Sequence, residues 1–245
     1  MFDLKYVFFC MLPIVSAFTW LGMLLAMFIV WQLEGSPHYV SMEPNQRIAY
    51  ISDIGAQGLQ PLFIAGACVT TIFLDLSFAA ERWLRHTGRL AKNMGKTEKV
   101  LSALSIFFAV LGTAGLILLS IFDTVSHPRL HDGFLLLFIG GYIISAICIC
   151  AEYQRLGRHF RQHRILRASF WMKLSFIIVE VLLAAVFIGT SFTSHKNIAA
   201  VLEWVIALIF TFYILTFFVD LLPASRNHQK ITNTEMSHAD GVTAV

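Results

Sequence analysis

Six stretches of this chain are each long and apolar enough to cross a bilayer as a helix, and that feature constrains the fold more than any other. A hydrocarbon core needs about 20 consecutive apolar residues of helix. The runs lie at about 7–31, 61–80, 100–122, 133–151, 170–189 and 198–222. In lipid every backbone N–H and C=O must be satisfied within the protein, so such runs close their hydrogen bonds internally as helices. No alternating strand pattern competes with that reading. Composition agrees: 57% of residues are hydrophobic and 13% charged, against about 25% charged in a soluble domain. The first run is too long for a removable signal segment and reads as a span that stays in the membrane. The fold class expected is therefore all-α, a polytopic membrane protein with six transmembrane helices in one bundle. Residues 1–223 form that domain, and 224–245 read as a disordered cytosolic tail.

The connecting segments set the orientation. Fifteen of the 18 Lys and Arg fall at the start of the chain, after spans two and four, or after span six. Only Arg47, Arg129 and Lys196 fall on the other side. The excess of positive charge marks the cytosolic side, which puts both termini there. The net charge is only +3, which gives no case for nucleic-acid binding.

The basic residues have helical spacing. Arg82, Arg85, Arg89, Lys92, Lys96 and Lys99 would form one cationic stripe on a continuous helix. Arg155, Arg158, Arg161, Arg164 and Arg167 recur every third residue and would form a broader surface, with Lys173 at the mouth of span five. Retention of topology is the plain reading of these charges. The functional reading is attraction of anionic inner-leaflet lipid, phosphoinositides included, at about 1 kcal/mol per basic residue near such a surface. Arginine suits phosphate because its planar fork binds bidentately.

Acids inside spans are costly and tend to be paired or functional. Asp75 and Asp220 lie near inner span ends, where pairing with Arg82 or Arg85 is expected. Glu180 lies near the middle of span five, protonated or hydrogen-bonded inside the bundle. A second group lies outside: Asp53 in the first long loop, Asp123 and His131 in the middle loop, and Glu203 at the outer end of span six. These are the candidate catalytic residues. Asp53, Asp123 and His131 are expected to tie two outer loops to Glu203 and Trp204. Asp123, His127 and His131 are spaced by four, but Pro128 disfavours helical geometry at His127, so no metal site is assigned. No cofactor is expected either. The five tryptophans mostly fall near span ends, as an interfacial belt requires.

Small residues mark close packing. Ser102, Ser105, Ala109 and Gly112 share one face of span three, with Gly140 and Gly141 serving span four. The four cysteines all lie in apolar runs and read as small packing residues. Cys148 and Cys150, near an inner span end, are also candidates for S-palmitoylation. No soluble-enzyme motif is present: there is no Gly-x-Ser-x-Gly elbow, no phosphate-binding Gly loop and no His-Glu-x-x-His.

Several segments in their order and span positions resemble the DRAM/Frag/Sfk family of six-span membrane proteins, most of all its fungal members. They are Ile51-Ser52-Asp53-Ile54-Gly55-Ala56, Ala80-Glu81-Arg82-Trp83-Leu84-Arg85, Ser120-Ile121-Phe122-Asp123 with His131 downstream, and Glu203-Trp204 with Asp220 further on. The resemblance implies a role in lipid organisation, phosphatidylinositol-kinase signalling, autophagy or the remodelling of glycosylphosphatidylinositol (GPI) anchors. It implies a plasma-membrane or endomembrane location and a lipid-kinase complex as a partner. Two functions compete. One is a non-catalytic regulator that engages anionic lipid through its basic loops. The other is a lipid-remodelling enzyme built on the outer Asp/His/Glu group. A transporter using Glu180 is the weakest, because no span is broken at its middle.

Overall fold

The computed structural model describes residues 4–91, 95–159 and 164–225. They form α1 (Leu4–Leu33), α2 (Ile51–Gly55), α3 (Gln60–His86), α4 (Lys96–Ile121), α5 (Pro128–His159), α6 (Arg164–Ser191) and α7 (Lys196–Ser225). Six of these are membrane spans by length and hydropathy, as the apolar runs predict. The helices outrun the apolar stretches because their flanking polar turns continue the backbone ladder at each end. The described residues contain no strand.

The six long helices close into a ring. α1 packs on α3 and α7, α3 on α4, α4 on α5, α5 on α6, and α6 on α7, while α3 also touches α7 across the middle. Cys10, Leu84, Leu221 and Ala224 cluster together, which brings the start of α1 and the ends of α3 and α7 to one end of the bundle. This is the terminal end. The short helix α2 lies at the other, the capped end.

The closest approach is between α4 and α5, and it rests on glycine. A Cβ at Gly141 would lie 2.6 Å from the Gly112 nitrogen, and one at Gly115 would lie 2.5 Å from the Phe138 nitrogen. Both are backbone contacts that no side-chain movement could relieve. Ser145 Oγ donates to the Ser105 carbonyl at 2.7 Å across the same seam. The small-residue face read from span three is therefore a packing face. Gly140 is not part of it, since nothing lies within 4 Å of a Cβ built there.

Four expectations need correction. The basic stripe from Arg82 to Lys99 is not one helix. α3 stops at His86, and Gly88 turns the chain with φ +79°. The Arg89 and Leu90 amides then close on the Leu84 carbonyl at 2.9 and 3.1 Å, a glycine-terminated C-cap. In the second arginine series Arg155 and Arg158 belong to α5 and Arg167 to α6, so these three do not share one helix. α7 continues through Pro223 to Ser225, past the expected boundary at 223. The proline removes one ladder bond there. Trp20 is no interfacial anchor: it is buried, and its Nε1 donates to the Ala207 carbonyl at 2.8 Å. Lys92 and Arg161, the side chain of Arg164 and the tail from Arg226 lie outside the described residues.

Candidate functional site

At the terminal end, charge is sorted between the inside and the outside of the bundle. Glu81 and Arg85 are one helical turn apart on α3, and both are buried. Arg85 Nη2 and Nε donate to Glu81 Oε1 at 2.6 and 3.1 Å, and its Nη1 donates to the Ala91 carbonyl at 3.1 Å. Tyr153 Oη on α5 donates to the same Glu81 oxygen at 2.6 Å. The guanidinium stands 4.9 Å from the Tyr153 ring and 4.0 Å from Glu152 Oε1. A second centre joins α6 to α7. Lys173 is fully buried, with Nζ 2.7 Å from Asp220 Oδ2, 2.8 Å from Thr216 Oγ1 and 3.7 Å from the centre of the Phe217 ring. Neither Asp220 oxygen receives a well-directed hydrogen bond, so that contact is held by charge.

Arg85 is thus not available to lipid, and Asp220 pairs with Lys173 rather than with Arg82 or Arg85. Asp75 is not paired with arginine either. Its Oδ2 accepts from Thr113 Oγ1 at 2.9 Å, and Thr113 in turn meets Tyr142 Oη at 2.9 Å. The sequence reading missed Glu81 and Glu152 and placed Lys173 on the basic surface. A signal for Lys173 existed, because it lies three residues inside an apolar run that begins at Phe170.

Among the described residues, what remains outside is basic. Lys96, Lys99, Arg155, Arg158 and Arg167 are exposed, and Arg82 and Arg89 are half-buried. Among the described residues the acids of the same end, Glu81, Glu98, Glu152 and Asp220, are all buried. Trp83 and Trp171 are exposed beside this face, 48% and 59% of each surface being free, which suits interfacial anchors.

The capped end is built around α2. Asp53, at the third position of that helix, reaches back so that its Oδ2 accepts from the Tyr50 amide at 2.9 Å, half of a capping box. Gln46 Nε2 donates to the same oxygen at 3.1 Å. Glu203 Oε2 accepts from the Ile51 amide at 2.7 Å, taking one of the free N–H groups at a helix start. Trp204 Nε1 donates to the Ala49 carbonyl at 3.0 Å. Asn197 Oδ1 accepts from the Arg47 and Ile48 amides at 2.6 and 3.0 Å. Burial, and then the Glu203 carboxylate, push the Tyr50 hydroxyl up to about 12.

The expected outer group therefore divides. Asp53, Glu203 and Trp204 work together on α2. Asp123 instead organises its own turn, its Oδ1 accepting from the Val125 and Ser126 amides at 2.8 and 2.6 Å. His131 is buried, with Nδ1 3.0 Å from both the Leu119 and Phe122 carbonyls. Pro128 opens α5, a position that suits a residue without an amide proton. Among the described residues no cluster of three His, Cys, Asp or Glu could hold a metal.

Between these ends lies a partly open cavity of about 120 Å³. Helices α4, α5, α6 and α7 supply most of its walls, including Phe138, Phe176 and Phe210. Trp20 and Phe63 also reach it. Glu180 and Glu203 line it, whereas Asp53, Asp123 and His131 do not.

Comparison with known proteins places the chain. Residues 8–224 match the Frag1/DRAM/Sfk1/Cwh43P N-terminal domain. The chain is 30% identical over 217 residues to "Protein sfk1" of Schizosaccharomyces pombe, covering 89% of this chain and 65% of that protein. It is 30% identical over 175 residues to "Protein SFK1" of Saccharomyces cerevisiae, covering 60% of this chain and 50% of that one. The chain thus spans between half and two thirds of the length of these relatives. No solved structure matches. The chain belongs to the Frag1/DRAM/Sfk1 family.

Proposed function

We propose that this Frag1/DRAM/Sfk1-family membrane protein is a non-catalytic regulator of lipid organisation, and that its working surface is the basic face at the terminal end. The carrying observation is the sorting of charge there. Glu81, Glu98, Glu152 and Asp220 are drawn inside, while Lys96, Lys99, Arg155, Arg158 and Arg167 stay out. A mixed surface would cancel its own field. Among its described residues this one presents cations beside exposed Trp83 and Trp171, side chains that suit the headgroup level of a bilayer. Read with the excess of Lys and Arg on that side, the face is cytosolic, where anionic phospholipids including phosphoinositides concentrate.

The alternative, a lipid or GPI-anchor remodelling enzyme, requires Asp53, Asp123, His131 and Glu203 to act at one place. The division of those residues between α2 and the α4–α5 turn favours the regulator.

The test uses the full chain in vesicles. Brominated phosphatidylserine or a brominated phosphoinositide, at equal mole fraction, should quench Trp83 and Trp171 more than brominated phosphatidylcholine does. Replacing Arg155, Arg158 and Arg167 by Gln should remove that excess, since each is worth about 1 kcal/mol near an anionic surface. Equal quenching by anionic and zwitterionic lipid would sink the proposal.

A further inference from the structure

We propose that the cavity between the α4–α5 pair and α6–α7 is a binding site for the apolar chain of one bilayer lipid whose head donates hydrogen bonds and carries no phosphate. The walls are almost all carbon, and aromatic rings supply much of their area. Such walls suit a chain and give a water-soluble molecule nothing to hold. The polar groups are few: the Trp20 indole and the Tyr142 hydroxyl, both engaged within the protein, the Tyr213 hydroxyl, and two acids. Glu180 and Glu203 are the acids that line the cavity, and among the described residues no Lys, Arg or His lines it. Two carboxyl groups with no cation beside them offer nothing to neutralise a phosphate or a fatty-acid head, whereas their oxygens accept from a hydroxyl or an ammonium.

Glu180 narrows the choice further. Its Oε1 is buried and has no hydrogen-bond partner in the protein. A buried polar atom left unpaired needs an explanation, and on a cavity wall the donor of a ligand supplies one. An acid well inside a span is by default a mark of function. Glu203 is already engaged by the Ile51 amide, so Glu180 is the acceptor left for a ligand.

Entry is from the bilayer. α6 is the span least covered by protein, only 11% of its apolar window being buried. Ile139 and Ile143 of α5 and Ile177 and Glu180 of α6 line the cavity and are half-buried, so the wall is not sealed between these helices. Depth agrees with a lipid pose. By helix rise, Glu203 lies about 10 Å and Glu180 about 16 Å from the capped end of its helix. The head would sit in that half, and the chain would run toward Tyr213 and Ala146.

Trp20 lines the cavity and supplies the readout. The full chain in nanodiscs is titrated with three chain-brominated probes: a diacylglycerol for the hydroxyl head, a sphingoid long-chain amine for the ammonium head, and phosphatidic acid as the anionic control. Saturable quenching that Trp20→Phe abolishes is expected from the first, the second or both. The responding arm identifies the donor. Glu180→Leu should weaken that probe about tenfold, and Ala184→Phe, which fills the space, should abolish its effect. If Ala184→Phe loses its monodisperse elution, Ala146→Leu together with competition by unbrominated probe replaces it. The proposal is overturned by phosphatidic acid quenching as well as the others, by no saturable quenching from any probe, or by quenching that survives the filled cavity.

Discussion

Removing the ammonium of Lys173 should damage this protein more than removing both partners of its ion pair. Nζ lies 2.7 Å from Asp220 Oδ2, and both side chains are essentially free of solvent. At an effective dielectric of about 20, two unit charges at that distance attract by about 6 kcal/mol. Desolvation of both groups consumes much of this, so the pair itself adds little net stability. A Lys173→Met variant keeps the burial cost of Asp220 and loses the attraction. It also strips Thr216 of its donor and the Phe217 ring of its cation. A loss of about 3–5 kcal/mol is expected, as for other buried pairs broken on one side. Lys173→Met with Asp220→Leu removes both charges and should recover most of that loss. The assay is thermal unfolding in detergent micelles, read by the decay of the monodisperse elution peak, with both single variants completing a double-mutant cycle. The reasoning is refuted if Lys173→Met melts like the parent protein, or if the double variant is no more stable than the single one.

Two further outcomes follow from local geometry. Gly141→Val should cost about 1–3 kcal/mol or more by forcing α5 off the Gly112 backbone, whereas Gly140→Val, with open space around it, should change melting little. Equal effects would refute the glycine seam. At Asp123, slight burial would raise the carboxyl, but the bonds from Ser126 and Val125 outweigh it and hold it below the usual carboxylate range. A depressed acid contributes stability that is full above its unfolded value and is lost as pH falls through the folded one. Amide protection at Val125 and Ser126, corrected for intrinsic exchange, should therefore drop in acid, and Asp123→Asn should abolish that pH dependence.

The candidate site was legible only in part. Asp53 lies 150 residues before the adjacent pair Glu203 and Trp204 in the chain but was expected to meet them, and the three do meet around α2. Asp123 and His131 were expected to join them and do not. The turn closed by Ser126 and Val125 uses the Asp123 carboxylate at a range of two or three residues, and such local bonds compete with any distant partner. The packing face of α4 was legible because small residues at helical spacing can serve few other purposes in lipid. Gly140 was over-read for the same reason, since spacing alone does not say which of two adjacent glycines meets a neighbour.

The spans are legible in the chain alone, since the length of apolar helix a bilayer demands is a local property. Six runs were read and six spanning helices are present. Which face of each helix turns inward is not legible in the chain alone and follows from how the helices pack. Trp171 and Lys173 make the point: they are two residues apart, about 200° around the helix, and Trp171 is 59% exposed whereas Lys173 is fully buried. In a soluble helix the apolar stripe would have predicted the buried side. A helix that is apolar all round gives no such signal, because lipid and protein interior accept the same side chains. The buried charge network, the basic surface left outside it and the cavity beside Glu180 all depend on that choice of face, and only the closing of the ring makes it.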